Sequence, residues 1–123
     1  MGPIKSYKDL VVYQRSYKLA LEIYQVTRSF PKEEVYGLTS QMRRSAVSVP
    51  CNIAEGYRRG HRKEYLQFLH VAYGSCGELE TLLSLSHDLG FIEKGNFEML
   101  YSLQEETSRL LRGLILSLSK PKE

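Results

Sequence analysis

The sequence has little of what usually fixes a small protein by chemistry instead of packing. Of its 123 residues only two are cysteine, Cys51 and Cys76. Two thiols make no disulfide framework, and neither stands at metal-ligand spacing from a partner. Both lie in apolar, helix-like surroundings, where a free cysteine behaves as a small hydrophobe. That usage points to a reduced, cytoplasmic protein. No apolar run approaches the roughly 18 residues of a membrane span, and no secretory signal is present. Met1-Gly2-Pro3-Ile4-Lys5-Ser6 matches the myristoylation pattern in form, but the proline directly after the glycine argues for a chance match. Nowhere do apolar and polar residues alternate with a period of two, so strands have no support.

What is present is an ordinary globular composition, 42% hydrophobic and 25% charged, in a chain the length of one domain. Net charge is only +3, but its distribution is uneven. Residues 1–63 hold 12 Lys/Arg against 5 Asp/Glu, and residues 64–123 hold 5 against 9. If the halves face different surfaces, one surface is clearly positive.

Punctuation is sparse. Pro31 with Gly37, then Gly60, then Gly90 with Gly95 divide the chain into four segments. Each shows helical periodicity. The first, about 7–29, carries Leu10, Tyr13, Tyr17, Ala20, Leu21 and Tyr24 along one face, and Val12, Leu19, Ile23, Val26 and Phe30 on nearly the opposite side. A helix of a four-helix monomer needs one apolar face, so the second set is expected to meet another chain. The second segment, about 38–59, reads Leu38, Met42, Ala46, Val49, Ile53, Tyr57, with Thr39 or Ser40 as expected N-cap, Gly60 as C′ residue and Pro50 as an internal kink. The third, about 62–89, keeps a heptad seam: Tyr65, Leu69, Ala72, Cys76, Leu79, Leu83, Ser86. Gly74 and Gly77 interrupt it at about 1 kcal/mol each, which predicts close approach by a neighbouring helix. The fourth, about 93–119, turns Phe97, Leu100, Leu103, Thr107, Leu110, Leu111, Leu114 and Leu118 inward, and the tail Lys120-Pro121-Lys122-Glu123 is expected to fray. Short connections between long helices predict an all-α, antiparallel up-and-down four-helix bundle, with residues 1–123 forming a single domain.

Two polar constellations stand out. Gln41, Arg44, Ser48, Asn52 and Glu55 share one face of the second helix and are placed to meet Ser75 and Glu78 of the third. This polar seam reads as structural, fixing register between helices or subunits, with a binding groove as the other reading. Arg44 is available to pair there with Glu55 or Glu78. The second constellation is Arg58, Arg59, His61, Arg62 and Lys63, where the second helix hands over to the third. Cations near a helix C-terminus account for Arg58 and Arg59. Arg62 and Lys63 open the next helix, where positive charge is unfavourable, and a phosphate-bearing partner would favour them. A catalytic or metal set is absent from the pattern: His61, His70 and His87 are nine and seventeen residues apart, with no cysteine or carboxylate spacing to complete a site. Gly74 and Gly77 lie inside a helix and form no phosphate cradle. No cofactor and no enzyme activity are expected.

A resemblance runs along residues 7–118. It rests on Tyr7-Lys8-Asp9-Leu10-Val11-Val12-Tyr13-Gln14, Phe30-Pro31-Lys32-Glu33-Glu34, Tyr36-Gly37-Leu38-Thr39-Ser40-Gln41, the stretch from Arg43 to Gly56 with its Ser48-Val49-Pro50-Cys51-Asn52-Ile53-Ala54-Glu55-Gly56 core, and Ala72-Tyr73-Gly74-Ser75-Cys76-Gly77-Glu78-Leu79-Glu80. These blocks resemble the four-helix-bundle proteins encoded within intervening sequences of bacterial 23S ribosomal RNA genes, whose relatives include the accessory variability determinant of diversity-generating retroelements. The resemblance implies a homopentamer around a central channel. For the retroelement relatives it implies a basic barrel that associates with a reverse transcriptase and with nucleic acid. Two functions follow as expectations: a homo-oligomeric nucleic-acid-binding accessory protein contacting RNA or DNA, or a structural adaptor that binds a protein partner such as a reverse transcriptase.

Overall fold

Helix formation starts from a locally satisfied turn. In the computed structural model, which describes residues 2–121, Ser6 opens a 3-10 turn over Tyr7–Asp9. Its hydroxyl accepts from Lys8 N at 3.1 Å, and Asp9 Oδ2 accepts from Lys5 N and Ser6 N at 2.9 and 3.2 Å. This reciprocal cap satisfies amides that would otherwise be orphaned. Four long helices follow: α1 Val11–Thr27, α2 Leu38–Arg58, α3 Arg62–Asp88 and α4 Lys94–Ser119. No strand occurs among the described residues. Met1, Lys122 and Glu123 lie outside them, so the expected fraying of the tail concerns residues of which only Lys120 and Pro121 are described.

The stops and starts have local causes. Gly60 has φ +75° and Gly90 φ +82°, both in the left-handed region that suits glycine at a helix end. Beyond α3, Phe91 N donates to Ser86 O at 2.9 Å, closing the helix end on a six-residue loop of chain. The start of α2 differs from expectation. Its N-cap is Gly37, with neither Thr39 nor Ser40 in that role, and the first-turn amide of Leu38 donates to the Glu34 carboxylate at 3.1 Å. A carboxylate four residues upstream, held by a short 3-10 turn over Lys32–Glu34, does the work of a hydroxyl cap and also suits the helix dipole. Pro50 is buried within α2, and the helix runs through it.

Each helix packs against two neighbours in ring order: α1 on α2, α2 on α3, α3 on α4, and α4 back on α1. Two apolar clusters show that neighbours are antiparallel. At one end Val12 of α1 meets Val49 and Ile53 late in α2, Leu69 early in α3, and Leu111 and Ile115 late in α4. At the other, Ile23 and Phe30 meet Leu38 and Met42, Leu83, and Ile92 and Leu100. The result is the up-and-down four-helix bundle expected from the pattern.

The α3 seam is buried from Leu69 to Ser86, as its heptad spacing predicts. Two other expectations are reversed. On α1 the core face is the aliphatic set Val12, Leu19, Ile23 and Val26, continued by Phe30 just past the helix end, all buried. The outer part of the tyrosine set is left outside: Tyr17, Leu21 and Tyr24 are 52, 58 and 42% exposed, while Leu10, Tyr13 and Ala20 are half-buried against the core. Branched aliphatics fill a four-helix interior without a polar tip, whereas each tyrosine in the core would need a partner for its hydroxyl. On α3, Gly74 and Gly77 are exposed, and a Cβ added at either would meet nothing within 4 Å. The close helix crossing occurs instead at Gly56 of α2, where an added Cβ would stand 2.7 Å from Phe68 Cβ and 3.1 Å from Tyr65 Cδ1.

Buried polar groups occupy the remaining core positions. Gln104, 1% exposed, donates to Ser108 Oγ at 2.8 Å and to Cys76 O at 3.3 Å, while its Oε1 is buried without a partner. Ser16 and Thr27 return their hydroxyls to Tyr13 O and Ile23 O of their own helix at 2.8 and 2.7 Å. No described helix is long and apolar enough to cross a membrane.

Candidate nucleic-acid interface

Three residues, Arg59, Gly60 and His61, connect α2 to α3, so the basic cluster is confined to one end of the bundle. Arg58, Arg59, His61, Arg62 and Lys63 are all exposed. The structure divides their roles. Arg59 is committed: it donates to Glu55 Oε1 at 2.9 Å, and its guanidinium lies 5.1 Å from the centre of the Phe68 ring. Arg58 sits 5.8 Å from the centre of the Tyr7 ring. Arg62 and Lys63 have no acidic group within ion-pair distance among the described residues. Both occupy the first turn of α3, whose N-cap His61 makes no side-chain cap. The first-turn amides therefore lack a capping acceptor and add partial positive charge to that of the side chains. An oxyanion is the natural complement. Beside them a shallow pocket of about 290 Å³ is lined by Tyr57, His61, Arg62, Tyr65 and Leu118 among others. Burial pushes the Tyr65 hydroxyl up to about 12, with Tyr57 adding a smaller effect.

The polar seam is formed only in part. Ser48 Oγ and Ser75 Oγ are 2.8 Å apart across α2 and α3, and Asn52 Nδ2 donates to Ser48 O at 2.7 Å and Ser48 Oγ at 3.0 Å. Glu78 does reach α2, but it accepts from Ser45 Oγ, a residue outside the sequence-derived set. Arg44 pairs with neither Glu55 nor Glu78: Glu55 is taken by Arg59 one turn on. Gln41 and Arg44 are exposed and make no side-chain hydrogen bond among the described residues. The three that join are one turn apart on facing sides of α2 and α3, and the two that do not have rotated toward solvent. These contacts tie two helices of one chain.

Sequence reasoning missed a larger feature. The exposed tyrosine face of α1 and the facing part of α2 form an apolar groove of about 390 Å³ that includes Tyr13, Tyr17, Leu21, Tyr24, Val47 and Cys51. Arg43 packs on Tyr24 of this groove, its guanidinium 4.6 Å from the ring centre, while it donates to Thr27 Oγ1 at 2.9 Å. The signal was present as the second apolar face of α1, but the spacing alone does not say which face turns inward.

Among the described residues no three His, Cys, Asp or Glu side chains come together as a metal site. His70 is exposed, and His87 is stacked on Phe97 with ring centres 4.2 Å apart. Cys76 is buried, and burial pushes its thiol up to about 11.

Comparison with known proteins places this architecture. No curated protein matches the chain. The crystal structure of a protein of unknown function from the S23 ribosomal protein family of Bacteroides thetaiotaomicron has the same fold, with a TM-score of 0.81 over 89% of this chain and 98% of that one, at 25% identity. The family described as 23S rRNA-intervening sequence protein matches residues 8–113, a span that takes in the first turns of the bundle, the α2–α3 handover and most of α4. The chain belongs to the 23S rRNA-intervening sequence protein family.

Proposed function

We propose that the protein is a non-enzymatic, homo-oligomeric scaffold whose basic bundle end holds nucleic acid by its phosphates. The observation that carries the reading is the pair Arg62 and Lys63. Two exposed cations at a helix start without a side-chain cap, neither in an ion pair among the described residues though Glu64 shares the turn, form an arrangement unfavourable in an isolated chain and favourable against phosphate. The exposed apolar face of α1 supports assembly, which would repeat this end around a ring. The family resemblance read in the sequence gives the pentamer as the expected count, and light scattering then reads near 71 kDa, five chains of 14.2 kDa. A monomer at micromolar concentration refutes assembly; a tetramer or hexamer refutes only the count.

The test of nucleic-acid contact is Arg62→Ala with Lys63→Ala, against Lys32→Ala with Lys94→Ala at the opposite end. Both doubles remove the same charge. Phosphate contact predicts that the first weakens binding across sequences. It also flattens log K against log salt by about 0.7 per lost contact on single strands and about 0.9 on duplex, while the second changes little. Equal weakening by both doubles would mean that net charge alone is responsible.

A second reading, an adaptor for a protein partner such as a reverse transcriptase, is favoured by a different observation. At the end away from the basic cluster Val35 and Tyr36 are 50 and 95% exposed, beside Glu33 and Glu34. Exposed apolar and aromatic side chains of this kind are common at protein interfaces. Absence of any binding to RNA or DNA at low salt would make this the leading reading.

A further inference from the structure

The passage from α1 to α2 gathers three cations around one pocket. Arg28, Lys32 and Arg43 line an open pocket of about 500 Å³ together with Phe30, Val35 and Thr39. It lies at the end of the bundle away from Arg62 and Lys63, since α1 ends and α2 begins there. None of the three cations is in an ion pair among the described residues. Glu33 and Glu34 follow Lys32 in the chain, but neither lines the pocket, and the Glu34 carboxylate accepts from Leu38 N. The negative end of the α1 dipole favours Arg28 where it stands. It accounts for neither Lys32 nor Arg43.

Arg43 is half-buried. Its neighbours are a hydroxyl, a carbonyl and a ring face: Thr27 Oγ1 at 2.9 Å, Tyr24 O at 3.5 Å, and the Tyr24 ring centre at 4.6 Å. Drawing part of a guanidinium out of water beside dipoles alone costs free energy, which an anion alongside offsets. Thr39 is an independent sign of the same kind. It is 6% exposed and lines the pocket, yet its hydroxyl makes no hydrogen bond among the described residues. It stands in the first turn of α2, where the amides of Thr39 and Ser40 have no backbone acceptor and the helix dipole is positive.

We propose that this pocket binds a small-molecule phosphate monoester. Such a group carries nearly two negative charges at neutral pH and three strong acceptor oxygens. Cations reach it from three directions: Arg28 from the end of α1, Lys32 from the connecting turn and Arg43 from α2. A guanidinium can hold two phosphate oxygens at once, and the Thr39 hydroxyl supplies a further donor. Phe30 and Val35 give the organic part of the ester an apolar wall. The volume of about 500 Å³ lies within the roughly 300–1,000 Å³ of small-molecule sites. An internal phosphodiester of a nucleic acid carries a single charge and continues on both sides, so the pocket favours the monoester and is separate from the strand-binding end.

Calorimetric titration of the intact chain at pH 8 and low salt tests the site, with phenyl phosphate as the probe. One molecule is expected to bind per chain, more tightly than inorganic phosphate, which lacks the apolar group. Dimethyl phosphate, with one charge fewer, is expected to bind at least about tenfold more weakly. Arg28→Ala and Lys32→Ala should each weaken phenyl phosphate by about tenfold or more, the size of one hydrogen bond to a charged group. Both residues are exposed, so a retained thermal transition is expected and checks the fold. Thr39→Val keeps the volume and should weaken binding several-fold. Arg62→Ala with Lys63→Ala removes charge at the other end and should leave the affinity unchanged. The proposal is overturned if phenyl phosphate fails to bind at millimolar concentration, or if dimethyl phosphate binds as tightly. It is equally overturned if Thr39→Val binds as wild type does, or if the Arg62 and Lys63 double weakens binding as much as Arg28→Ala and Lys32→Ala do.

Discussion

Gly56 is where the tightest prediction lies. An alanine there gains about 1 kcal/mol of helix propensity over glycine, so in an open helix the substitution would stabilise. Here the new methyl carbon would stand 2.7 Å from Phe68 Cβ, 3.1 Å from Tyr65 Cδ1 and 3.3 Å from Tyr65 O. Phe68 Cβ is attached directly to the backbone and Tyr65 O belongs to it, so neither can swing away as a side-chain tip could. Relief requires α2 and α3 to separate by several tenths of an ångström, which also loosens Leu69 and Ile53 in the cluster beneath. Overpacking of this kind costs about 1–3 kcal/mol. Set against the propensity gain, Gly56→Ala comes out destabilised by up to about 2 kcal/mol, and Gly56→Leu by more. Urea titration at fixed protein concentration measures it, with Gly74→Ala as the control. At Gly74 an added Cβ meets nothing within 4 Å, so the same substitution is expected to stabilise by up to about 1 kcal/mol. A Gly56→Ala protein stabilised by the full propensity gain of about 1 kcal/mol would refute the close crossing. A destabilised Gly74→Ala would place the outward face of α3 against another surface.

Gln104→Leu keeps the volume and removes a buried acceptor that has no partner, which offsets the loss of its donations to Ser108 Oγ and Cys76 O, so its stability should stay within about 1 kcal/mol of wild type, whereas Gln104→Ala should lose about 2 kcal/mol or more to the cavity. Cys76, buried with its thiol held up to about 11, should resist alkylation at pH 8 until the chain unfolds. Because the folded state holds Cys76 and Tyr65 neutral to about 11 and 12, the stability this confers is intact below pH 9 and lost as pH rises through those values. Tyr65→Phe should remove part of that alkaline loss in pH-dependent melts without lowering stability at pH 7, since the lost hydroxyl has no partner. Ser48→Ala should leave Ser75 without its partner across the helices and Asn52 with only its bond to the residue 48 carbonyl, and cost about 1 kcal/mol by thermal melt.

Much of the fold is legible because the period of apolar residues fixes a helix and the direction it faces. The α3 seam is the clearest case: one heptad stripe, with solvent the only alternative, leaves a single way to bury Leu69, Ala72, Cys76, Leu79 and Leu83. Glycine at 60 and 90 likewise announces its own positive φ. The basic end is legible for a related reason, since three connecting residues cannot disperse Arg58, Arg59, Arg62 and Lys63.

What the sequence leaves open is every choice between two locally equivalent answers. Both faces of α1 are apolar at helical spacing, and only the volume between four packed helices selects the aliphatic one, leaving the tyrosines to line a groove. Gly56, Gly74 and Gly77 are alike as letters within helices. Which one lies under a neighbouring backbone depends on where α2 and α3 cross, a distance between chain segments that no local pattern contains. The polar seam splits for the same reason: a shared helix face brings Ser48 to Ser75, but the rotation of α2 against α3 gives Glu78 to Ser45 and turns Arg44 to solvent. Periodicity determines what each helix can bury; only the packed arrangement decides what it does bury, because burial is a relation between helices and periodicity a property of one.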